Sequence, residues 1–154
     1  MIAYNICAEQ AQEIKSLHNN TVLISINEEE PANLYPLQLD RSDKRILTLR
    51  FSDVANRTER ERGGKTETYL PINTDQAALL LKFMEENKTQ DFVVHCAAGV
   101  SRSAAICLYL HHTYGHELKK RFWETSHPDK FVLGSLLFAR YEQPKDRCTL
   151  SSLF

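Results

Sequence analysis

Phe92-Val93-Val94-His95-Cys96-Ala97-Ala98-Gly99-Val100-Ser101-Arg102-Ser103 is the stretch whose reading decides the fold of this 154-residue chain. Phe92 to His95 is apolar and β-branched, the composition of a buried strand. The next residues are small at 97, 98, 101 and 103, with Gly99 between them, and they form a tight turn. An apolar segment from about Ser103 to Tyr114 then reads as a helix, which Gly115 ends. A strand, a turn of small residues and a helix in direct succession make one half of a βαβ unit.

The rest of the chain supplies the partners. Thr21 to Ile26 is a β-branched run that reads as a strand buried on both faces, and Ile46 to Phe51 is a further strand. Residues 2–6 suggest a short edge strand, and Ala8 to Leu17 a short helix with Ala11, Ile14 and Leu17 on one face. A helix opens near Asp75, with Thr74 or Asp75 as its cap; Glu117–Thr125 and Lys130–Tyr141 read as two more. Residues 27–43 are expected to be mostly loop. Ser52 to Asn73 lacks any apolar period and is expected to be a long loop. The tail from Gln143 has no strong pattern. Strands alternating with helices predict one α/β domain over residues 1–154, with a mainly parallel central sheet and helices on both faces. Ligands of such sheets bind beyond the carboxyl ends of the strands, where the 96–102 turn falls.

Composition narrows the function. Apolar residues make up 42% and charged residues 25%, as in an ordinary soluble globular protein. A net charge of −1 argues against stable nucleic-acid binding through bulk charge. The four cysteines, Cys7, Cys96, Cys107 and Cys148, are irregularly spaced, which favours reduced thiols over a disulfide framework. The amino terminus has no basic start followed by an apolar stretch, and no run is long enough to span a bilayer. The expected setting is the cytoplasm, without membrane attachment and as a single copy.

The chemistry concentrates in the turn. Small residues at 97–101 let several backbone N–H groups converge on one point, and the helix behind adds its positive end. Arg102 can fold its planar fork over that concavity and grip two oxygens of a phosphate. The same positive field favours the thiolate of Cys96, whose ordinary pKa is near 8.5. Ser103 can give its hydroxyl to the sulfur, and His95 can brace the turn through the loop backbone. The simpler alternative, a buried inert thiol at a strand end, leaves Gly99, Arg102 and Ser103 each needing a separate explanation.

The pattern His95-Cys96-x-x-Gly99-x-x-Arg102-Ser103 resembles the signature of the cysteine-dependent protein tyrosine phosphatases, a Cys and an Arg separated by five residues and followed by Ser or Thr. By average residue usage its chance occurrence in such a chain is on the order of 10⁻⁵. Ala97-Ala98-Gly99-Val100-Ser101 is most similar to the dual-specificity branch and its compact microbial and viral relatives. The resemblance implies a phosphatase acting on phosphotyrosine, and on phosphoserine or phosphothreonine in a shallow pocket. It implies Cys96 as nucleophile, residues 97–102 as the phosphate cradle, and a phosphocysteine intermediate that needs no metal or other cofactor. It also implies an upstream aspartate as general acid. Asp53 opens the loop after the 46–51 strand, at the same sheet edge as Cys96, and Phe51-Ser52-Asp53 is similar to the acid-bearing segment of the family's small members. Asp75 fits better as a helix cap, and Asp91 precedes its strand. The spacing from Asp53 to Cys96 exceeds the family's usual one, and the charged segment 57–65 accounts for the excess.

Several alternatives follow from the same residues. Segment 57–65 mixes Arg57, Arg60, Arg62 and Lys65 with Glu59 and Glu61, so it is either a solvated loop or a flap that recruits an anionic substrate. The cradle contains no lysine, which disfavours a lipid headgroup. After Pro128 the family's small members tend to carry Asn and a basic residue; Asp129-Lys130 stands here. An RNA 5′-triphosphatase or an inactive phosphate-binding module could use the same scaffold, and rhodanese-like sulfur transfer also uses a loop cysteine. Cys107 and His111, with His112 and His116 nearby, make a weak metal signal. Cys7, Cys107 or Cys148 could trap an oxidised Cys96.

Overall fold

The computed structural model of the chain describes residues 1–28 and 34–142. Part of the loop expected at 27–43, and the tail from Gln143 with Cys148, lie outside the described residues. Five strands form the main sheet: β1 (Ile2–Ile6), β2 (Thr21–Asn27), β3 (Ile46–Arg50), β6 (Asp91–His95) and β7 (Glu117–Leu118). Their order is β3-β2-β6-β1-β7, and every pairing is parallel. The expected edge strand at 2–6 is therefore interior: it pairs with β6 along its length, and Ile2 and Ala3 meet β7 on the other side. The parallel arrangement brings the carboxyl ends of β1, β2, β3 and β6 to one edge. Asp91 begins β6 at the opposite edge, where it accepts the Ile2 N–H at 2.7 Å.

Alternation along each strand sorts residues between two faces. Val22, Ile24, Ile26, Phe92 and Val94 belong to the main core with α2 (Thr74–Glu86), α3 (Arg102–Tyr114) and α5 (Lys130–Glu142). Burying each of these large side chains contributes about 1.5–3 kcal/mol. The other face carries Leu23, Ser25 and His95; α1 (Ala8–Gln12) and the irregular chain around Tyr35 and Arg41 lie against it. Helices thus flank both faces, with α2, α3 and α5 on one side and α1 on the other.

Four local expectations are corrected. The helix from Ala8 ends at Gln12 instead of Leu17; only Ala11 in it is buried, and an isolated helix of ten residues is marginal in water without packing to support it. Residues 117–125 divide into β7 and α4 (Lys120–Thr125), because Leu118 is buried at the sheet edge beside Ala3. Helix α2 is capped by Asn73, not Thr74 or Asp75: Asn73 Oδ1 accepts the Gln76 N–H at 2.8 Å and Gln76 Oε1 accepts the Asn73 N–H at 3.0 Å.

The largest correction concerns 52–73, which is not a structureless loop. β4 (Thr58–Arg62) and β5 (Lys65–Tyr69) form an antiparallel hairpin turned by Gly63 and Gly64, with φ of +60° and +79°. Positive φ at both central residues gives the turn whose twist suits a two-residue hairpin. The Arg/Glu alternation then separates the charges by face. Arg60, Arg62, Lys65 and Glu67 share one side, where Arg60 lies over the Tyr69 ring; Glu59 and Glu61 share the other. No helix among the described residues is long and apolar enough to cross a membrane.

Candidate active site

The carboxyl end of β6 delivers Cys96 into the turn, and the turn is held by its carbonyls. Ala97 O accepts the Ala8 N–H at 2.9 Å, and Gly99 O accepts Asn5 Nδ2 at 2.7 Å. Val100 O accepts the His127 N–H at 2.8 Å, and Ser101 O accepts the N–H groups of Ala105 and Asp129, each at 3.0 Å. With these carbonyls engaged from outside, the N–H groups of Gly99 and Ser103 bond the Cys96 sulfur. Gly99 is required here on two counts. Its φ is +69°, and a Cβ would stand 2.6 Å from the Ile6 carbonyl carbon and 2.8 Å from Cys7 N.

Cys96 is buried, and its Sγ lies 3.1 Å from Ser103 Oγ. Burial alone would raise the thiol. The Ser103 hydroxyl and N–H, the Arg102 charge and the Gly99 N–H outweigh it and hold the thiol below its ordinary value. Cys107, fully buried on α3, is driven the other way by burial and by the Cys96 charge, so it is a poor nucleophile.

Arg102 begins α3 and is also buried. Its Nη1 donates to Phe51 O at 2.7 Å and its Nη2 to Glu28 Oε1 at 2.6 Å. Glu28 follows β2 and is itself fixed by the Ser52 hydroxyl at 3.1 Å. The guanidinium is thereby oriented by the ends of β2 and β3. Burial works against its charge, and Glu28 and the Cys96 charge more than compensate, raising its pKa.

His95 sits behind the loop. Its Nδ1 donates to the Cys96 carbonyl at 3.0 Å, so Nε2 is the acceptor for the Ser25 hydroxyl at 2.6 Å. Ser25 Oγ in turn accepts from Arg41 Nη1 and Asn27 Nδ2. Burial lowers the His95 pKa, the Cys96 carbonyl opposes this in part, and the charges of Arg41 and Arg102 lower it further. The imidazole thus links the Cys96 carbonyl to the Ser25 hydroxyl within a completed network.

Asp53 reaches the loop from β3. Its Oδ1 accepts the Ser101 hydroxyl at 3.2 Å, on the same residue whose carbonyl takes the Asp129 N–H. The Ser52 N–H bonds Leu70 O at 2.8 Å and Gln76 Nε2 donates to Arg50 O at 2.6 Å, so the hairpin base and α2 bracket the acid segment. Asp75 is exposed in the first turn of α2.

The structure therefore gathers Cys96, Arg102, Ser103, Asp53 and the cradle residues 97–101 at one sheet edge. It does not bring the weak metal signal together. His111 Nδ1 bonds His116 O at 2.7 Å, and His116 Nε2 bonds Gln90 O at 2.8 Å; among the described residues no cluster of three metal-ligating side chains occurs. Asn5 and Glu28 were not singled out from sequence, and Asp129 was noted there only as a departure from the family pattern, without a role. Each left a trace there: a polar residue inside the apolar run 2–6, the first acid after a buried strand, and an acid directly before a helix.

No family model and no curated protein matches the chain. A solved structure, the human tyrosine phosphatase-like serine/threonine/tyrosine-interacting protein, is similar to it with a TM-score of 0.47 and 17% sequence identity, over 79% of this chain and 76% of that one. What the chain can do chemically follows from its own loop.

Proposed function

We propose that this chain hydrolyses phosphate monoesters of proteins, phosphotyrosine foremost, through a phosphocysteine intermediate. One observation carries the reading. A thiol held below its ordinary pKa faces two inward N–H groups, and the cation six residues beyond it in the loop is oriented by Glu28 and Phe51.

The Cys96 thiolate attacks phosphorus in line and the bond to the leaving oxygen breaks. Asp53 gives that oxygen its proton, so an alkoxide or phenoxide is never released. Arg102 and the loop N–H groups take up the negative charge spread over the phosphoryl oxygens. Water then attacks the phosphocysteine. Asp53, now ionised, accepts its proton, and sulfur leaves as the thiolate, stabilised by Ser103. The lysine-free cradle and an exposed Asp53 favour phosphopeptides over a lipid headgroup, with phosphoserine and phosphothreonine as further substrates.

The test pairs a phosphopeptide panel on the wild type with Cys96→Ser and Asp53→Asn. Cys96→Ser should bind phosphotyrosine peptides without hydrolysing them. Asp53→Asn should slow phenyl phosphate by ~10²-fold or more while sparing substrates whose leaving groups need no proton. Undiminished hydrolysis by Cys96→Ser would remove the nucleophile from the scheme. Phosphate release confined to triphosphate-ended RNA would transfer the scaffold to that chemistry.

A further inference from the structure

Asp129 stands where the acid segment, the cradle and α5 meet. Its N–H bonds the Ser101 carbonyl at 3.0 Å, and its Oδ1 accepts the N–H groups of Phe131 at 2.8 Å and Val132 at 3.1 Å. It thus caps α5 while tied to the cradle. Asp53 reaches the same Ser101 through the hydroxyl at 3.2 Å, so two carboxyl-bearing residues converge on one residue of the cradle.

The surroundings leave few other charges to account for. From the β3 exit Asp53 faces Asp129; from the loop Ser101 offers a neutral hydroxyl and a carbonyl; from α5 come two N–H groups. His127 and Lys130 flank Asp129 in its own segment and are both exposed.

We propose that Asp129 is a positioning residue for the acid step: its carboxyl and that of Asp53 share one proton, which Asp53 passes to the leaving oxygen. This rests on the reading of Asp53 as the acid. Removing the shared proton leaves two like charges side by side, so the pair keeps it to higher pH than a lone exposed aspartate does. In keeping with this, the Asp129 carboxyl is pushed up to about 6, first by burial and then by its hydrogen bond to Asp53. Asp129 therefore keeps a proton up to about pH 6.

Asp129→Asn separates this role from capping, because the amide oxygen can still accept from Phe131 and Val132. Its N–H donates to Asp53 and favours the ionised carboxylate. The basic limb of the kcat–pH profile with phenyl phosphate should move about one pH unit lower, a ~10-fold loss at pH 7. Phosphocysteine formation from 2,4-dinitrophenyl phosphate in a single turnover should be unchanged. A limb that stays in place overturns the proposal. The second measurement needs no Asp129 variant. By carboxyl-carbon NMR titration of the full chain, Asp129 should titrate near pH 6 in the wild type and lower in Asp53→Asn, where burial alone still raises it. A value unmoved by Asp53→Asn equally overturns the pairing. Cys96→Ser is the control for the underlying function: if it stays active, the phosphatase reading fails and this step with it, whereas an inactive Cys96→Ser with an unmoved limb rejects the carboxyl pair alone.

Discussion

Replacing Ser103 by alanine tests how the nucleophile is kept ionised. Ser103 Oγ has a single hydrogen and two claims on it. Asn5 Oδ1 lies at 2.5 Å and the Cys96 sulfur at 3.1 Å. The Asn5 amide nitrogen already donates to Gly99 O and Ser126 Oγ, so Oδ1 must be an acceptor. While Cys96 is a thiol, the hydroxyl serves Asn5 and the thiol hydrogen points to Ser103. Ionisation turns the hydroxyl toward sulfur. The new bond to a charged acceptor contributes about 1.5–3 kcal/mol, and giving up the neutral bond to Asn5 costs about 0.5–1.5. The net is about 1–1.5 kcal/mol, close to one pKa unit. Ser103→Ala should raise the Cys96 titration by about that much. The Gly99 and Ser103 N–H groups and Arg102 remain, so it should not return fully to the ordinary thiol value. The assay is the pH dependence of alkylation by iodoacetamide, with inorganic phosphate as protectant to identify the site. A titration that does not move, or that moves down, would refute the idea that this hydroxyl stabilises the thiolate.

Two further outcomes follow from the same geometry. Gly99→Ala must place a Cβ against the Ile6 and Cys7 backbone at a left-handed φ; it should destabilise the fold by about 3 kcal/mol or more, read from urea midpoints, and reduce turnover in whatever fraction stays folded. The Asp129 pKa is raised in the folded state, from an ordinary 3.8 to about 6, so its favourable contribution is present at low pH and is lost as pH rises through about 6. Because the carboxyl is only partly buried, that loss should be roughly 1 kcal/mol after solvent screening. Denaturant titrations at pH 4.5 and 7 should show it in the wild type and not in Asp129→Asn.

The candidate loop was legible because its residues are local. Cys96, Gly99, Arg102 and Ser103 lie within eight consecutive residues, bounded by a strand and a helix that each announce themselves by composition. What supports the loop was harder to read, because each support arrives from far along the chain. Asn5 meets Gly99, Glu28 meets Arg102 and Asp129 meets Ser101 only once the parallel sheet has brought the strand ends to one edge. The logic that selected Asp53, an acid just past a strand at that edge, applies equally to Glu28.

The hairpin was missed for a different reason. Both its strands are largely exposed, so no apolar alternation marks them, and the Arg/Glu alternation looked like a solvated charge run. Gly63-Gly64 was the signal present, a two-residue turn between segments of equal length. Asn73 was likewise readable as a cap through Gln76 three residues on, but the acid at Asp75 drew the boundary one or two residues late.

The account's central claim is the covalent one, and a rapid quench addresses it directly. Wild-type protein mixed with a phosphotyrosine peptide labelled at phosphorus, quenched in acid within milliseconds and digested, should yield label on the peptide containing Cys96, at a level that rises and decays with turnover. Label absent from that peptide while phosphate is released, or label on any other residue, would contradict it.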